Sequence, residues 1–208
     1  MTLPWIVGSV LAGVLAGPSI RACLASYGAE SPRAPLLVEL IAGLAMAVVA
    51  VRATSVWELA ALAWLVLLAV PLALIDIAVR RLPNPLTGAA FAGAAALLTA
   101  AALAGHQPGQ LGRAAIGAAA LTCFYLLLWL IRPGGMGLGD VKLAASVGLA
   151  LAWAGWPALI AGTFLAFVLA SAYGIALIVT KRGNRGSQVP LGPFMLVAAL
   201  AAIAFAPG

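Results

Sequence analysis

The sequence predicts an all-α, polytopic transmembrane helix bundle of about eight helices. Of the 208 residues, 65% are hydrophobic and only 8% are charged. A soluble domain usually carries charge on roughly a quarter of its residues. The mean hydropathy is +1.16, and apolar runs recur along nearly the whole length. These observations exclude a soluble enzyme, a nucleic-acid-binding module and a disordered chain.

The predicted spans follow from the length that a helix needs to cross a bilayer. A hydrocarbon core of about 30 Å requires roughly 20 apolar residues per helix. The sixth segment is separated from the seventh only by Gly155, Trp156 and Pro157, so seven helices is the alternative count. The eight segments are approximately 3–20, 36–51, 56–79, 86–104, 111–131, 141–154, 156–179 and 191–206.

The distribution of basic residues predicts the orientation of the bundle. Cytoplasmic loops of membrane proteins carry an excess of Lys and Arg. The alternate loops hold only Arg52 and Arg113. We therefore expect both termini to face outward and the four basic loops to face the cytoplasm. The basic residues after helices one, three, five and seven are Arg21, Arg33, Arg80, Arg81, Arg132, Lys142, Lys181, Arg182 and Arg185.

Two aspartates, Asp76 and Asp140, are the candidate catalytic residues. They are the only aspartates in the chain, and each lies at the predicted cytoplasmic end of an apolar helix. Carboxylates inside a membrane segment are costly and are functional candidates by default. Two carboxyl groups held together cannot both ionise comfortably, so one keeps a proton. Such a pair can activate water for attack on a peptide carbonyl and protonate the leaving amine.

Each aspartate also has a simpler interpretation. Asp76 could pair with Arg80 one turn later. Asp140 could be an N-cap that follows a glycine turn and interacts with the helix dipole. A different functional class is a small proton-coupled transporter or channel that uses both aspartates as a relay. A transporter would favour ionisable groups near the midplane and an inverted repeat, and the sequence shows neither.

Four strings of the chain resemble one known family. They are Pro35-Leu36-Leu37-Val38-Glu39-Leu40, then Asp76 followed by Arg81-Leu82-Pro83-Asn84-Pro85-Leu86-Thr87, then Gly135-Met136-Gly137-Leu138-Gly139-Asp140-Val141-Lys142-Leu143, and Val189-Pro190-Leu191-Gly192-Pro193-Phe194. In this order they are similar to motifs of the type IV prepilin peptidases, which are intramembrane aspartic proteases of the Gly-x-Gly-Asp class.

This resemblance implies an aspartic endopeptidase in the bacterial cytoplasmic membrane, with its active site facing the cytoplasm. It would remove the short basic leader of type IV prepilins or pseudopilins, with Asp76 and Asp140 as the catalytic residues. The expected partners are these substrates and membrane lipid, without nucleic acid. Residues 1–208 would form one integral membrane domain, with N-terminal helices in 1–55 and the peptidase core in 56–206. The oligomeric state stays open.

Other motif residues are expected to support the two aspartates. Gly137 and Gly139 allow close backbone approach and positive φ. Lys142 either lowers the pKa of a carboxyl group or binds the loop backbone, unless it is simply one of the basic residues on the cytoplasmic side. Pro83 and Pro85 flank Asn84 and stop the third helix just beyond Asp76. Two further prolines, Pro190 and Pro193, either hold open the start of the last helix near the site or form a plain turn.

The sequence predicts neither a metal nor a cofactor. The loop over residues 21–35 holds the single Cys23, whereas longer family members carry two Cys-x-x-Cys pairs there that bind zinc. Gly17-Pro18-Ser19-Ile20-Arg21 only faintly resembles the block found in members that methylate with S-adenosylmethionine, so methyltransferase activity is not expected. The compact form resembles peptidases that serve Tad-type or competence pili. Glu39 either joins a polar network near the site or reaches the interface.

Overall fold

A computed structural model of the protein describes residues 3–32, 34, 36–131, 136–181 and 190–206. Within these ranges the ordered elements are nine α-helical segments, with no strand. The segments are α1 (Leu3–Leu15), α2 (Gly17–Ser26), α3 (Leu37–Arg52), α4 (Val56–Val79), α5 (Asn84–Ala104), α6 (Pro108–Ile131), α7 (Leu138–Ala154), α8 (Trp156–Val179) and α9 (Gly192–Ala204). The predicted all-α fold is confirmed.

Segments α1 and α2 form one helix of 24 residues, Leu3–Ser26, so the described residues hold eight helices. The two segments meet at Ala16, which keeps right-handed helical angles. Pro18 has no backbone N–H and cannot complete the helical hydrogen-bond ladder, which accounts for the interruption. The helix is six residues longer than the predicted segment that ended at residue 20. Arg21 consequently lies inside a helix and not in a loop.

Five of the helices are long and apolar enough to cross a membrane: Leu3–Ser26, Val56–Val79, Asn84–Ala104, Pro108–Ile131 and Trp156–Val179. The other three are shorter, with 16 residues in α3, 17 in α7 and 13 in α9. These shorter helices include the two that carry Asp140 and Gly192, which meet Asp76 of α4 at one end of the bundle. Helix α4 packs against α5 and α9, and α7 packs against α5, α6 and α9.

Glycine permits the close contact between α6 and α7. A Cβ atom added to Gly117 would lie 2.1 Å from the Cβ of Ala152 and 3.1 Å from the carbonyl oxygen of Gly148. A Cβ atom on Gly148 would lie 2.6 Å from the carbonyl oxygen of Gly117. Small residues of this kind let helix backbones approach closely in lipid, where van der Waals packing holds helices together. The position of α7, and therefore of Asp140, depends on this contact.

We expect Gly117→Ala to destabilise the protein because the added methyl group collides with Ala152 across the interface. Overpacking of this kind costs about 1–3 kcal/mol. Gly112 lies in the same helix with nothing within 4 Å of an added Cβ, which makes Gly112→Ala the matched control. The control should be neutral or stabilising by roughly 0.5–1 kcal/mol. Thermal unfolding in detergent measures both, and equal unfolding temperatures would contradict the packing role of Gly117.

Candidate active site

Asp76 lies in the last turn of α4 with only 5% of its surface exposed. Its Oδ2 atom accepts a hydrogen bond of 3.1 Å from the backbone N–H of Gly192, at the start of α9. The helix ends at Arg80, which has left-handed backbone angles and donates its own N–H to the Asp76 carbonyl. Helix α4 therefore ends one turn after Asp76, and the carboxyl group is directed into the bundle.

Asp140 lies in the first turn of α7 and is 6% exposed. Its backbone N–H donates to the Gly137 carbonyl at 3.1 Å, and its Oδ2 atom accepts from the Gly137 N–H at 3.2 Å. The second oxygen, Oδ1, is buried and has no hydrogen-bond partner among the described residues. One oxygen of Asp140 thus orders the helix start, while the other is free to interact with a substrate or a proton.

The two carboxyl groups meet at this end of the bundle. Asp140 lies within electrostatic range of Asp76, and the Gly192 amide lies beside Asp140 as well as Asp76. The two side chains come from helices far apart in sequence, and α9 brings a third element to the same point. The arrangement combines two buried carboxyl groups, a backbone donor and one unpartnered carboxylate oxygen. Its chemistry is that of an acid–base pair that can share one proton.

The simpler interpretations of the two aspartates account for only part of the geometry. In the described part of the chain, the ion pair within 4.0 Å joins Arg21 to Glu39, so Asp76 is not paired with Arg80. The N-cap of α7 is Gly137, whereas Asp140 occupies the third helical position. Asp140 does stabilise the helix start through its Oδ2 atom, and this contact leaves Oδ1 uncommitted. Both acids lie at one end of the bundle, which gives no support to a relay across the membrane.

Leu82, in the linker between α4 and α5, packs over the backbone beside both aspartates. A Cβ atom on Gly139 would lie 2.7 Å from the Leu82 Cβ. A Cβ atom on Gly192 would lie 2.8 Å from Asp76 Oδ2 and 3.5 Å from Leu82 Cδ1. Any larger residue at Gly139 or Gly192 would push Leu82 or the Asp76 carboxyl group away. The absence of a side chain at these two positions is therefore what lets the helix starts reach the site.

The structure assigns different contacts to the other motif residues. The Lys142 Nζ atom donates to Asn84 Oδ1 at 2.7 Å, which joins the start of α7 to the start of α5. Pro83 is the N-cap residue of α5, with extended backbone angles. Gly137 has a φ of −77°, so it does not use the positive-φ freedom that glycine offers. An added Cβ there would lie 3.4 Å from Asp140 Oδ2, so Gly137 is less tightly enclosed than Gly139.

Glu39 joins a second polar contact at the same end of the bundle. Its carboxylate, 7% exposed at the residue level, accepts from both terminal nitrogens of the Arg21 guanidinium. Gly17 lies so close that an added Cβ would be 2.4 Å from Glu39 Oε1. The pair ties α2 to α3. Of the sequence motifs, Pro35, Gly135 and Val189 lie outside the described residues, as do the basic residues Arg33, Arg132, Arg182 and Arg185.

Sequence reasoning missed the role of Gly192 and the proximity of Tyr125. The Leu191-Gly192-Pro193 string was a motif match, yet its contribution is a backbone N–H, which no side-chain pattern reveals. Tyr125 of α6 is 1% exposed and lies within electrostatic range of Asp140. Its signal in the sequence is weak, because one aromatic residue in an apolar helix is ordinary packing. Its ring stacks on Phe167, with centroids 5.7 Å apart.

The described residues bring no group of three or more His, Cys, Asp or Glu side chains together. That the protein works without a metal or cofactor stays a prediction.

Comparison with known proteins identifies the family. The sequence profile of the type IV leader peptidase family matches residues 59–179. The prepilin leader peptidase/N-methyltransferase of Aeromonas salmonicida (strain A449) is 36% identical over 186 residues, which cover 86% of this chain and 59% of that protein. The protein of the same name from Aeromonas hydrophila is 34% identical over 186 residues, with the same two coverages of 86% and 59%.

A third relative, the prepilin leader peptidase/N-methyltransferase of Stutzerimonas stutzeri, is 29% identical over 182 residues, covering 87% of this chain and 61% of that protein. The chain thus spans about 60% of the length of these curated relatives. No solved structure matches the chain.

The profile match covers more than half of the chain and includes Asp76, Asp140, all of α7 and all of α4 except its first three residues. The long apolar helices agree with a protein that crosses the membrane several times. This multi-pass membrane protein therefore belongs to the type IV leader peptidase family.

Proposed function

We propose that the chain is an intramembrane aspartic endopeptidase that removes the leader peptide of type IV prepilins or pseudopilins. The observation that carries the proposal is the meeting of Asp76 and Asp140, buried at 5% and 6% exposure, beside the Gly192 amide. Membership of the leader peptidase family supports the choice of substrate. The names of the relatives also support it, since each is called a prepilin leader peptidase/N-methyltransferase.

The proposed reaction is hydrolysis by two carboxyl groups that share one proton. The ionised carboxylate takes a proton from a water molecule while the oxygen of that water attacks the carbonyl carbon of the scissile peptide. The other carboxyl group donates its proton toward that carbonyl oxygen or the leaving nitrogen. Cleavage of the C–N bond then gives a carboxylic acid and an amine. Because the two groups titrate as a unit, neither aspartate is assigned as the base.

The hydrogen bonds of the two aspartates fit a pair in which one carboxyl group acts as base and the other as acid. The Gly192 N–H fixes Asp76 Oδ2, and the Gly137 N–H fixes Asp140 Oδ2. These bonds hold each carboxyl group by one oxygen, and Asp140 Oδ1 stays without a described protein partner. That oxygen is the one we assign to the shared proton or the attacking water. The pair needs only water as a co-reactant, so we propose the peptidase step alone, without S-adenosylmethionine.

We further propose that the site faces the cytoplasm from the bacterial cytoplasmic membrane. Lys142, Arg80 and Arg81 lie at the same end as the two aspartates, whereas Arg52 and Arg113 lie at the opposite end. The excess of basic residues near the aspartates supports this orientation through the positive-inside rule.

An apolar cavity of about 140 Å³ lies within the bundle. Leu72 and Leu143 contribute to its lining, each about one helical turn from Asp76 or Asp140. We propose that an apolar stem of the substrate lies along the bundle and presents its scissile peptide to the carboxyl pair. Because Leu72 and Leu143 are near the aspartates in their helices, apolar side chains next to the cleaved bond would enter this space.

Asp76→Asn and Asp140→Asn should each abolish leader removal, because Asn keeps the shape of the side chain but cannot share or transfer the proton. General acid–base groups contribute on the order of 10²–10⁴-fold to rates. Co-expression with a candidate prepilin, followed by electrophoretic separation of precursor from mature protein, measures the effect. Unchanged unfolding temperatures would show that the fold is retained. Normal processing by either variant would defeat the assignment.

Gly192→Ala should lower cleavage because the added Cβ would lie 2.8 Å from Asp76 Oδ2 and displace the carboxyl group. Misplacement of a catalytic group by about 1 Å costs on the order of 10²-fold. Gly88→Ala, in a helix position with nothing within 4 Å, is the matched control and should process normally. Equal processing by the two variants would mean that the Gly192 contact does not position Asp76.

A soluble peptide that carries the leader and cleavage site but lacks the apolar stem should be cleaved far less efficiently than the full prepilin. The reason is that burial of the apolar stem contributes binding free energy, roughly 25 cal/mol per Å² of buried surface, and the soluble peptide lacks that stem. The ratio of kcat/KM for the two substrates with purified protein measures this. Equal values would contradict the docking of the stem while leaving the assignment of the two aspartates intact.

A further inference from the structure

A second cavity, of about 290 Å³, lies at the end of the bundle opposite the two aspartates. Its lining combines polar and apolar residues, and it is built by α3, α4, α6, α7 and α9 together with the linker before α4. Family membership and the proposed peptidase reaction do not account for it. The residues around it are Arg52, Thr54, Glu58, Leu62, Gln110, Arg113, Ala150, Trp153, Ala154, Ile203 and Ala206.

Two guanidinium groups are held in fixed positions around this cavity. Arg113 donates through Nε to the Ala152 carbonyl and through Nη2 to the Trp153 carbonyl, both at 2.6 Å. Arg52 donates through Nη2 to the Ala206 carbonyl, also at 2.6 Å. These carbonyls lie at the ends of α7 and α9, where cations interact favourably with the helix dipole. A guanidinium has five N–H donors, so these contacts orient each group without using all of its donors.

The charges around the cavity suit a singly charged anion. Of the described lining residues, Arg52 and Arg113 are positive and Glu58 is negative, which leaves a net charge of +1. Neutral groups already surround the Glu58 carboxylate, since it accepts from Trp153 Nε1 at 3.0 Å and from the Thr54 N–H at 2.8 Å. Planar guanidinium groups are the side chains best suited to bind phosphate oxygens. A phosphodiester, with its single negative charge, matches this set.

The position of the cavity indicates the source of the phosphate. Trp57 and Trp156, at the starts of α4 and α8 on this end, are 48% and 44% exposed. Exposed tryptophans at helix ends mark the level of the lipid headgroups. The apolar lining from Leu62, Ala150 and Ile203 continues from the polar groups toward the interior of the bundle. We propose that this cavity binds the phosphodiester headgroup of a membrane phospholipid, with Arg52 and Arg113 as the phosphate ligands.

Native mass spectrometry of the purified full chain, released from detergent micelles with added phosphatidylglycerol, tests the proposal. The wild type should retain one tightly bound phosphatidylglycerol molecule. Arg52→Gln and Arg113→Gln should each weaken its binding at least tenfold, because each removes a positive charge and a set of N–H donors. Arg81→Gln, an exposed arginine at the opposite end, is the matched control and should bind as the wild type does. Equal binding by all four proteins would overturn the proposal.

A further variant separates binding from folding, since loss of either arginine also removes a helix-end contact. Ala154→Glu adds a carboxylate to the cavity wall without removing either arginine or the three carbonyls that they contact, and it should also lose the lipid. If Ala154→Glu binds phosphatidylglycerol like the wild type, the cavity is not the headgroup site.

Thermal unfolding with inorganic phosphate in place of lipid distinguishes the two sources of the anion. Phosphatidylglycerol should raise the unfolding temperature of the wild type, and inorganic phosphate at the same concentration should not. Equal stabilisation by the two would replace the lipid with a free anion and overturn the lipid assignment. None of these measurements depends on cleavage, so their failure would leave the proposed peptidase function untouched.

Discussion

Two carboxyl groups are buried in a bundle that is otherwise almost entirely apolar, and this constraint governs the site. A buried carboxylate without hydrogen bonds or a counter-charge is strongly unfavourable. The described contacts to these aspartates come from backbone amides of glycine and not from a cationic side chain: Gly192 for Asp76, and Gly137 for Asp140. Both amides lie at helix starts, where N–H groups lack intrahelical partners and the dipole favours negative charge. Helices α7 and α9 thus stabilise the acids with groups that a helix start already exposes.

Stabilising the carboxyl groups with backbone amides requires the backbone of each helix start to come close to them. The start of α9 reaches Asp76 only because Gly192 has no side chain, and the start of α7 packs on Leu82 only because Gly139 has none. The same device recurs deeper in the bundle, where Gly117 and Gly148 let α6 approach α7. A lysine or arginine beside the carboxyl groups would stabilise them as anions and would hold them away from the state in which one keeps a proton. A neutral amide favours the anion less strongly than a full positive charge does.

The helical spans and the two aspartates were readable from the sequence because they depend on local composition. Continuous apolar runs define a span wherever the bilayer is the solvent, and the rarity of Asp76 and Asp140 made them conspicuous. The predicted end of the first helix at residue 20 is wrong, because a basic residue after an apolar run is typical of a loop, whereas Arg21 lies in the helix and pairs with Glu39. That pairing joins helices whose register no local pattern specifies. The Gly192 amide escaped detection for a related reason: a backbone donor is common to nearly every residue, and only the fold selects which one meets a carboxylate.

The three short helices have a consequence for the surrounding lipid. At 1.5 Å per residue, the 13 residues of α9 extend for only about 20 Å, and the 16 and 17 residues of α3 and α7 for about 24–26 Å. A hydrocarbon core is about 30 Å thick. Helix α9 packs against both α3 and α7, so the short helices are neighbours in the bundle. Hydrophobic mismatch of this kind is relieved when acyl chains shorten and the leaflet dips toward the protein. A thinned bilayer would bring the aqueous boundary toward the first turn of α9, where the Gly192 N–H contacts Asp76.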